Sequence, residues 1–114
     1  MELIFTNPRG APAVIDQRLV VPISWRVVRT ECGESHVLVV MPSGSLRVTS
    51  PILEVHAARR ELVTSSGRRY QLDAPPVIYG LVCDTLGALA EWFGLGQVVD
   101  VSSEVWKQFL AAVQ

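Results

Sequence analysis

The segment Glu61-Leu62-Val63-Thr64-Ser65-Ser66-Gly67-Arg68-Arg69-Tyr70-Gln71-Leu72 decides the fold. Two short runs rich in strand-forming residues flank a Ser-Gly turn signal, the pattern of an antiparallel hairpin. Taking Ser66-Gly67 as a two-residue turn pairs Val63 with Tyr70 and Glu61 with Leu72. That pairing sets Glu61 among the inward-pointing residues, a conflict that points to a shifted register or a longer turn. The hairpin is therefore specified and its register left open.

Upstream, the same grammar repeats. Candidate strands are Leu3–Phe5, Val14–Ile23, Trp25–Thr30, His36–Met41, Ser45–Thr49 and Ile52–His56, followed by Glu61–Ser65 and Arg68–Leu72. Turn formers punctuate them at Pro8/Gly10, Pro22/Ser24, Cys32-Gly33-Glu34, Pro42-Ser43-Gly44 and Pro51. Such close spacing favours hairpins over crossovers, hence an antiparallel meander, open or curled into a partial barrel. The pieces either side of Pro22 and Pro51 also read as single bent strands, and proline there marks an edge or a bulge.

Downstream, composition changes at Asp73-Ala74-Pro75-Pro76. Tandem proline ends a sheet and can open a helix, whose first turn does not need the missing donors. From Val77 to Phe93 apolar residues recur at Ile78, Leu81, Val82, Leu86, Leu89, Ala90, Trp92 and Phe93, opposite Asp84, Ala88 and Glu91, an amphipathic helix that stops at Gly94 and Gly96. A second helix opens with Ser102 at the N-cap, Glu104 at the positive end and a Val101–Trp106 staple. Its stripe is Val105, Trp106, Phe109, Leu110 and Val113. The short link from Gly94 to Asp100 predicts a helical hairpin. The expected class is thus α+β in a single domain, residues 1–72 mainly β and 77–113 forming two helices.

At 114 residues there is room for one core. The chain is 49% hydrophobic and only 18% charged, with a mean hydropathy of +0.32, a surplus that leaves an apolar patch for a partner or a second copy. A net charge of −1 argues against nucleic acid, whose binders carry a basic excess. Residues Met1 to Pro8 show no basic, apolar leader, and Asp84, Thr85 and Glu91 interrupt the longest apolar run. A cytoplasmic protein without a membrane span is expected, in a bacterium or in the host of a phage.

Cys32, His36, His56 and Cys83 are the soft-metal candidates, but their spacing lacks the paired ligands of a structural zinc site. Neither metal nor cofactor is expected. A cysteine-dependent enzyme would need Cys32 with His36 or His56, without the positive surroundings that activate a thiol. Gly94-Leu95-Gly96 follows a helix rather than a strand, so it is a helix stop and not a dinucleotide loop. No catalytic residue is assigned, and the chain reads as a non-enzyme.

The charged feature is the arginine set Arg59, Arg60, Arg68 and Arg69; with Glu61 it gives the hairpin a local +3, four less one. Asp84, Glu91, Asp100 and Glu104 against Lys107 give the helical part −3, one less four. The arginines could grip an acidic surface or a nucleic-acid backbone. Strand rise instead places the two pairs about 15–17 Å apart, as separate solvated pairs that guard a sheet edge.

Three motifs, Thr49-Ser50-Pro51-Ile52, the Val63–Leu72 hairpin and Asp100-Val101-Ser102-Ser103-Glu104-Val105-Trp106, resemble a broad set of small uncharacterised bacterial and phage proteins over Thr49 to Leu110. The resemblance implies a prokaryotic or mobile-element accessory protein. The functional expectation is a non-enzymatic protein-binding module, an inhibitor or adaptor, with an anti-defence role as one version of it. The candidate contact residues are Arg59, Arg60, Arg68, Arg69 and Tyr70 on the hairpin, and Trp92, Phe93, Trp106 and Phe109 on the helices. A nucleic-acid-associated regulator using the arginines and an enzyme acting through Cys32 are the alternatives.

Overall fold

A computed structural model describes residues 5–6, 19–76 and 86–112. The expected helix over 77–85, Cys83, Val113 and most of the first two candidate strands lie outside the described residues. The described strands are β1 (Phe5–Thr6), β2 (Leu19–Val20), β3 (Ser24–Thr30), β4 (Ser35–Val40), β5 (Leu46–Val48), β6 (Ile52–His56), β7 (Glu61–Thr64), β8 (Arg69–Gln71) and β9 (Val98–Asp100). The helices are α1 (Leu86–Trp92) and α2 (Ser102–Ala112), and a single 3-10 turn spans Ala57–Arg59. One sheet has five strands in the order β1-β5-β4-β3-β9, the other four in the order β2-β8-β7-β6. The fold is α+β with mainly antiparallel sheets that close into no barrel among the described residues; the pairs β1–β5 and β2–β8 are parallel.

Two meanders, β3-β4-β5 and β6-β7-β8, carry the architecture. Pro22 and Pro51 stand where the chain leaves one sheet for the other, between β2 and β3 and between β5 and β6. The bent strands expected there are two strands in different sheets, and β6 is both an edge and bulged between Ile52 and Glu54.

One loop geometry closes three of the hairpins. In Ser65-Ser66-Gly67 the Gly67 N–H donates to Thr64 O at 2.8 Å and the Thr64 N–H to Arg68 O at 3.1 Å, with Gly67 at φ +88°. This is the three-residue loop whose last position is left-handed, hence glycine. Glu31-Cys32-Gly33 and Pro42-Ser43-Gly44 repeat it bond for bond. The extra loop residue moves the register, so Leu62 faces Tyr70 and Glu61 faces Gln71. Leu62 and Tyr70 then point inward, while Glu61 shares the outer face with Val63, Arg69 and Gln71, which resolves the conflict of the two-residue turn.

The five-stranded sheet is apolar on both faces. Trp25, Val27, Val37 and Val39 pack against Leu62 and Tyr70 of the second sheet and Val105 and Phe109 of α2. On the opposite face Val28, Leu38 and Val48 meet Phe93, Leu95 and Val98, and Leu46 meets Leu89 of α1. The two helices therefore cover different faces, and the link between them contains an edge strand, β9, rather than a tight turn. Its alternation explains this: Val98 faces the α1 side, while Val101, just beyond the strand, joins the α2 side.

At the handover from β9 to α2, Val101 N–H donates to Val27 O at 2.9 Å, but Val101 O is taken by Val105 N–H of the helix. Ser102 Oγ replaces it, accepting the Val27 N–H at 2.7 Å. Ser102 is thus the first helical residue, turned toward β3 and fully buried, rather than the expected N-cap. Asp100 Oδ1 accepts the Ser102 N–H at 2.9 Å, and Arg26 Nε donates to Asp100 Oδ2 at 2.9 Å. Burial raises the Asp100 carboxyl, but hydrogen bonds from Ser102 and the Arg26 guanidinium outweigh it and hold the group below its ordinary value.

Candidate functional site

The sequence-assigned contact residues do not form one surface. Tyr70 is 2% exposed and Phe109 0%, so both are core and neither reaches a partner. Trp106 is partly buried, its ring 6.3 Å from Trp25 and 6.0 Å from Phe109, centroid to centroid. Phe93 packs on the other face of the five-stranded sheet, and Trp92 beside it on α1 is exposed. The helical aromatic stripe is therefore divided between two faces of a sheet.

The arginines separate in a different way from that expected. Antiparallel pairing sets Arg69 diagonally across from Glu61, and Arg59 lies just before it in sequence. Arg59 Nη2 and Arg69 Nε come within 3.8 and 3.5 Å of the same Glu61 Oε1, so these two converge instead of standing a strand length apart. Glu61 is buried, and this oxygen accepts no hydrogen bond. Arg68 is also buried. Arg60 adopts left-handed backbone at φ 52°, ψ 46° and lays its guanidinium 5.0 Å from the Trp106 ring centroid. Its Nη1 donates to Asp73 O at 3.1 Å, so it clamps the 3-10 turn, α2 and the end of β8 together.

The thiol and imidazoles are likewise dispersed. Cys32 is exposed in its hairpin loop, with Sγ 3.0 Å from Thr30 Oγ1. His36 Nδ1 donates to Thr49 O at 2.8 Å inside the protein, and His56 Nε2 lies 3.8 Å from Glu54. Among the described residues no three His, Cys, Asp or Glu side chains group as a metal site would require, and no helix is long and apolar enough to cross a membrane.

The surface feature that does stand out lies on β6. Leu53, Glu54 and Val55 are consecutive exposed strand residues, Leu53 at 66% and Val55 at 43%. A buried or half-buried strand alternates; three exposed residues in a row mean that both side-chain faces and the outer edge are open. Beside them runs a groove of about 440 Å³ between β6, the β3–β4 hairpin and α2. Val27, Leu62, Val101 and Val105 supply apolar wall, while Arg29, Glu34 and Glu104 stand along it. Arg29 Nη2 lies 4.0 Å from Glu104 Oε2. The groove thus combines an apolar wall with a few charged groups along it.

Sequence reasoning assigned no contact role to β6. Its signals were nonetheless present, as Pro51 marking an edge and Ile52-Leu53-Glu54-Val55 carrying more apolar residues than one buried face can use. No family model, curated protein or solved structure matches the chain.

Proposed function

We propose that the chain is a non-enzymatic protein-binding module, a small bacterial or phage accessory factor acting in the cytoplasm as inhibitor or adaptor, and that the groove beside β6 is its contact surface. One observation carries the reading. Leu53 and Val55 stay exposed on a strand edge next to an apolar groove, where an unprotected edge is a liability unless something covers it. The composition supports it, since an apolar surplus in a small domain needs a partner surface. The test is co-purification from native cells, identification of the captured protein, and reconstitution from purified components. Leu53→Asp should abolish the reconstituted complex and leave the fold intact, whereas Trp92→Ala should not weaken it. Turnover activity in a monomer that forms no complex would refute the proposal.

A second reading rests on Arg59 and Arg69, which Glu61 gathers on the outer face of the four-stranded sheet. Such a pair suits a phosphate backbone. It predicts salt-sensitive nucleic-acid binding that is lost in Arg59→Ala/Arg69→Ala.

A further inference from the structure

The edge strands of the two sheets are unequal. The edge strand β9 has three residues, whereas β6 has five and pairs only with β7 among the described residues. The outward main-chain donors and acceptors of β6 need a partner, water or another strand. Short edges protect themselves; β6 instead displays Leu53 and Val55 beside the groove.

Resting on the reading of the groove as a contact surface, we infer that its occupant is an extended segment of a partner protein, added to the four-stranded sheet along β6. The segment carries apolar side chains at alternate positions and basic residues between them. An open edge selects extended backbone, because its main-chain groups are spaced for a strand. The apolar wall selects one face of that strand. Glu54, on the outer face of β6 opposite Val63 and beside His56, selects a basic residue on the other, and Glu34 and Glu104 against Arg29 add acidic charge along the groove. Arg29 is itself beside Glu104. The bulge between Ile52 and Glu54 breaks the even ladder, leaving Glu54–His56 as the regular run. The pairing is thus short, suited to one docked segment and not to an endless stack.

The probe is a fluorescent, terminally blocked peptide of alternating lysine and valine, titrated into the whole chain by anisotropy, with amide exchange followed by NMR. Binding should slow exchange along β6. It should weaken about tenfold or more in Leu53→Asp and in Glu104→Lys, and an alternating glutamate–valine peptide should bind the wild type at least tenfold more weakly. Of two peptides N-methylated at alternate amides, in the two registers, one should fail to bind. Equal binding by both would overturn strand addition while leaving the groove as a contact surface. No binding of the lysine–valine peptide, with a reconstituted complex still lost in Leu53→Asp, would do the same. Self-association abolished by Leu53→Asp would assign the edge to a second copy and overturn the inference.

Discussion

Replacing Ser102 by alanine tests how the five-stranded sheet is joined to its helical cover. Ser102 is fully buried, and its Oγ accepts the Val27 N–H at 2.7 Å and donates to Val27 O at 3.3 Å. The carbonyl keeps the Val101 N–H at 2.9 Å, so the loss falls on the amide. A buried N–H without a partner costs about 1–3 kcal/mol. Alanine recovers roughly 0.5 kcal/mol through helix propensity. The net expectation for Ser102→Ala is therefore a loss of about 1.5 kcal/mol, against a change within about 0.5 kcal/mol for exposed Ser103→Ala. Urea unfolding followed by tryptophan fluorescence reads it, because Trp25 is 1% exposed and Trp106 partly buried. Amide exchange at Val27 should also accelerate. If Ser102→Ala costs no more than Ser103→Ala, Ser102 does not replace the missing strand partner and the account of the handover fails.

The remaining predictions concern two charged residues. Arg60→Ala should destabilise by about 1–2 kcal/mol through loss of the contact with Trp106, while Arg60→Gly should recover roughly 1 kcal/mol of that by relieving the left-handed backbone; thermal melts of the three proteins give the order. Asp100→Asn should cost about 1–2 kcal/mol at pH 7, since a charge-assisted bond to Arg26 is lost at a partly exposed site. Because folding lowers the Asp100 carboxyl, its contribution is complete above the unfolded carboxylate range and disappears as pH falls through the folded value. The gap between wild type and Asp100→Asn should therefore narrow in urea melts as pH is lowered through and below the ordinary carboxylate range.

Much of the fold was legible because hairpin signals are local. The strands from Trp25 to Leu72 fell within a residue or two of their expected limits, since every junction but that of β6 and β7, Ala57 to Arg60, carries a turn former whose chemistry admits few alternatives. The hairpin register was not legible. A Ser-Gly pair serves a two- or a three-residue loop, and only inward packing of Leu62 and Tyr70 decides between them. β9 escaped notice because Val98-Val99-Asp100 is short and its partner β3 is remote in sequence. The candidate site was the least visible part. Exposure of Leu53 and Val55 follows from β6 lying last in its sheet, a property of strand order that no local pattern encodes. The arginines misled for the same reason, since spacing along one strand ignores the cross-strand diagonal that brings Arg69 to Glu61.

The repeated three-residue loop also orders the assembly of the chain in time. Each such hairpin closes over three residues, whereas docking β9 and α2 joins Val27 to a residue 75 positions away. The difference in closure entropy is on the order of 3 kcal/mol. The two meanders can therefore form early, each from neighbouring segments, while β9 and α2 arrive together as a late clasp. Until they do, Trp25 and Val27 lack the cover that Val105 and Phe109 provide. The same clasp should be the first unit to release under native conditions, so protection from exchange should fall on β9 and α2 before it falls on β3 and β4.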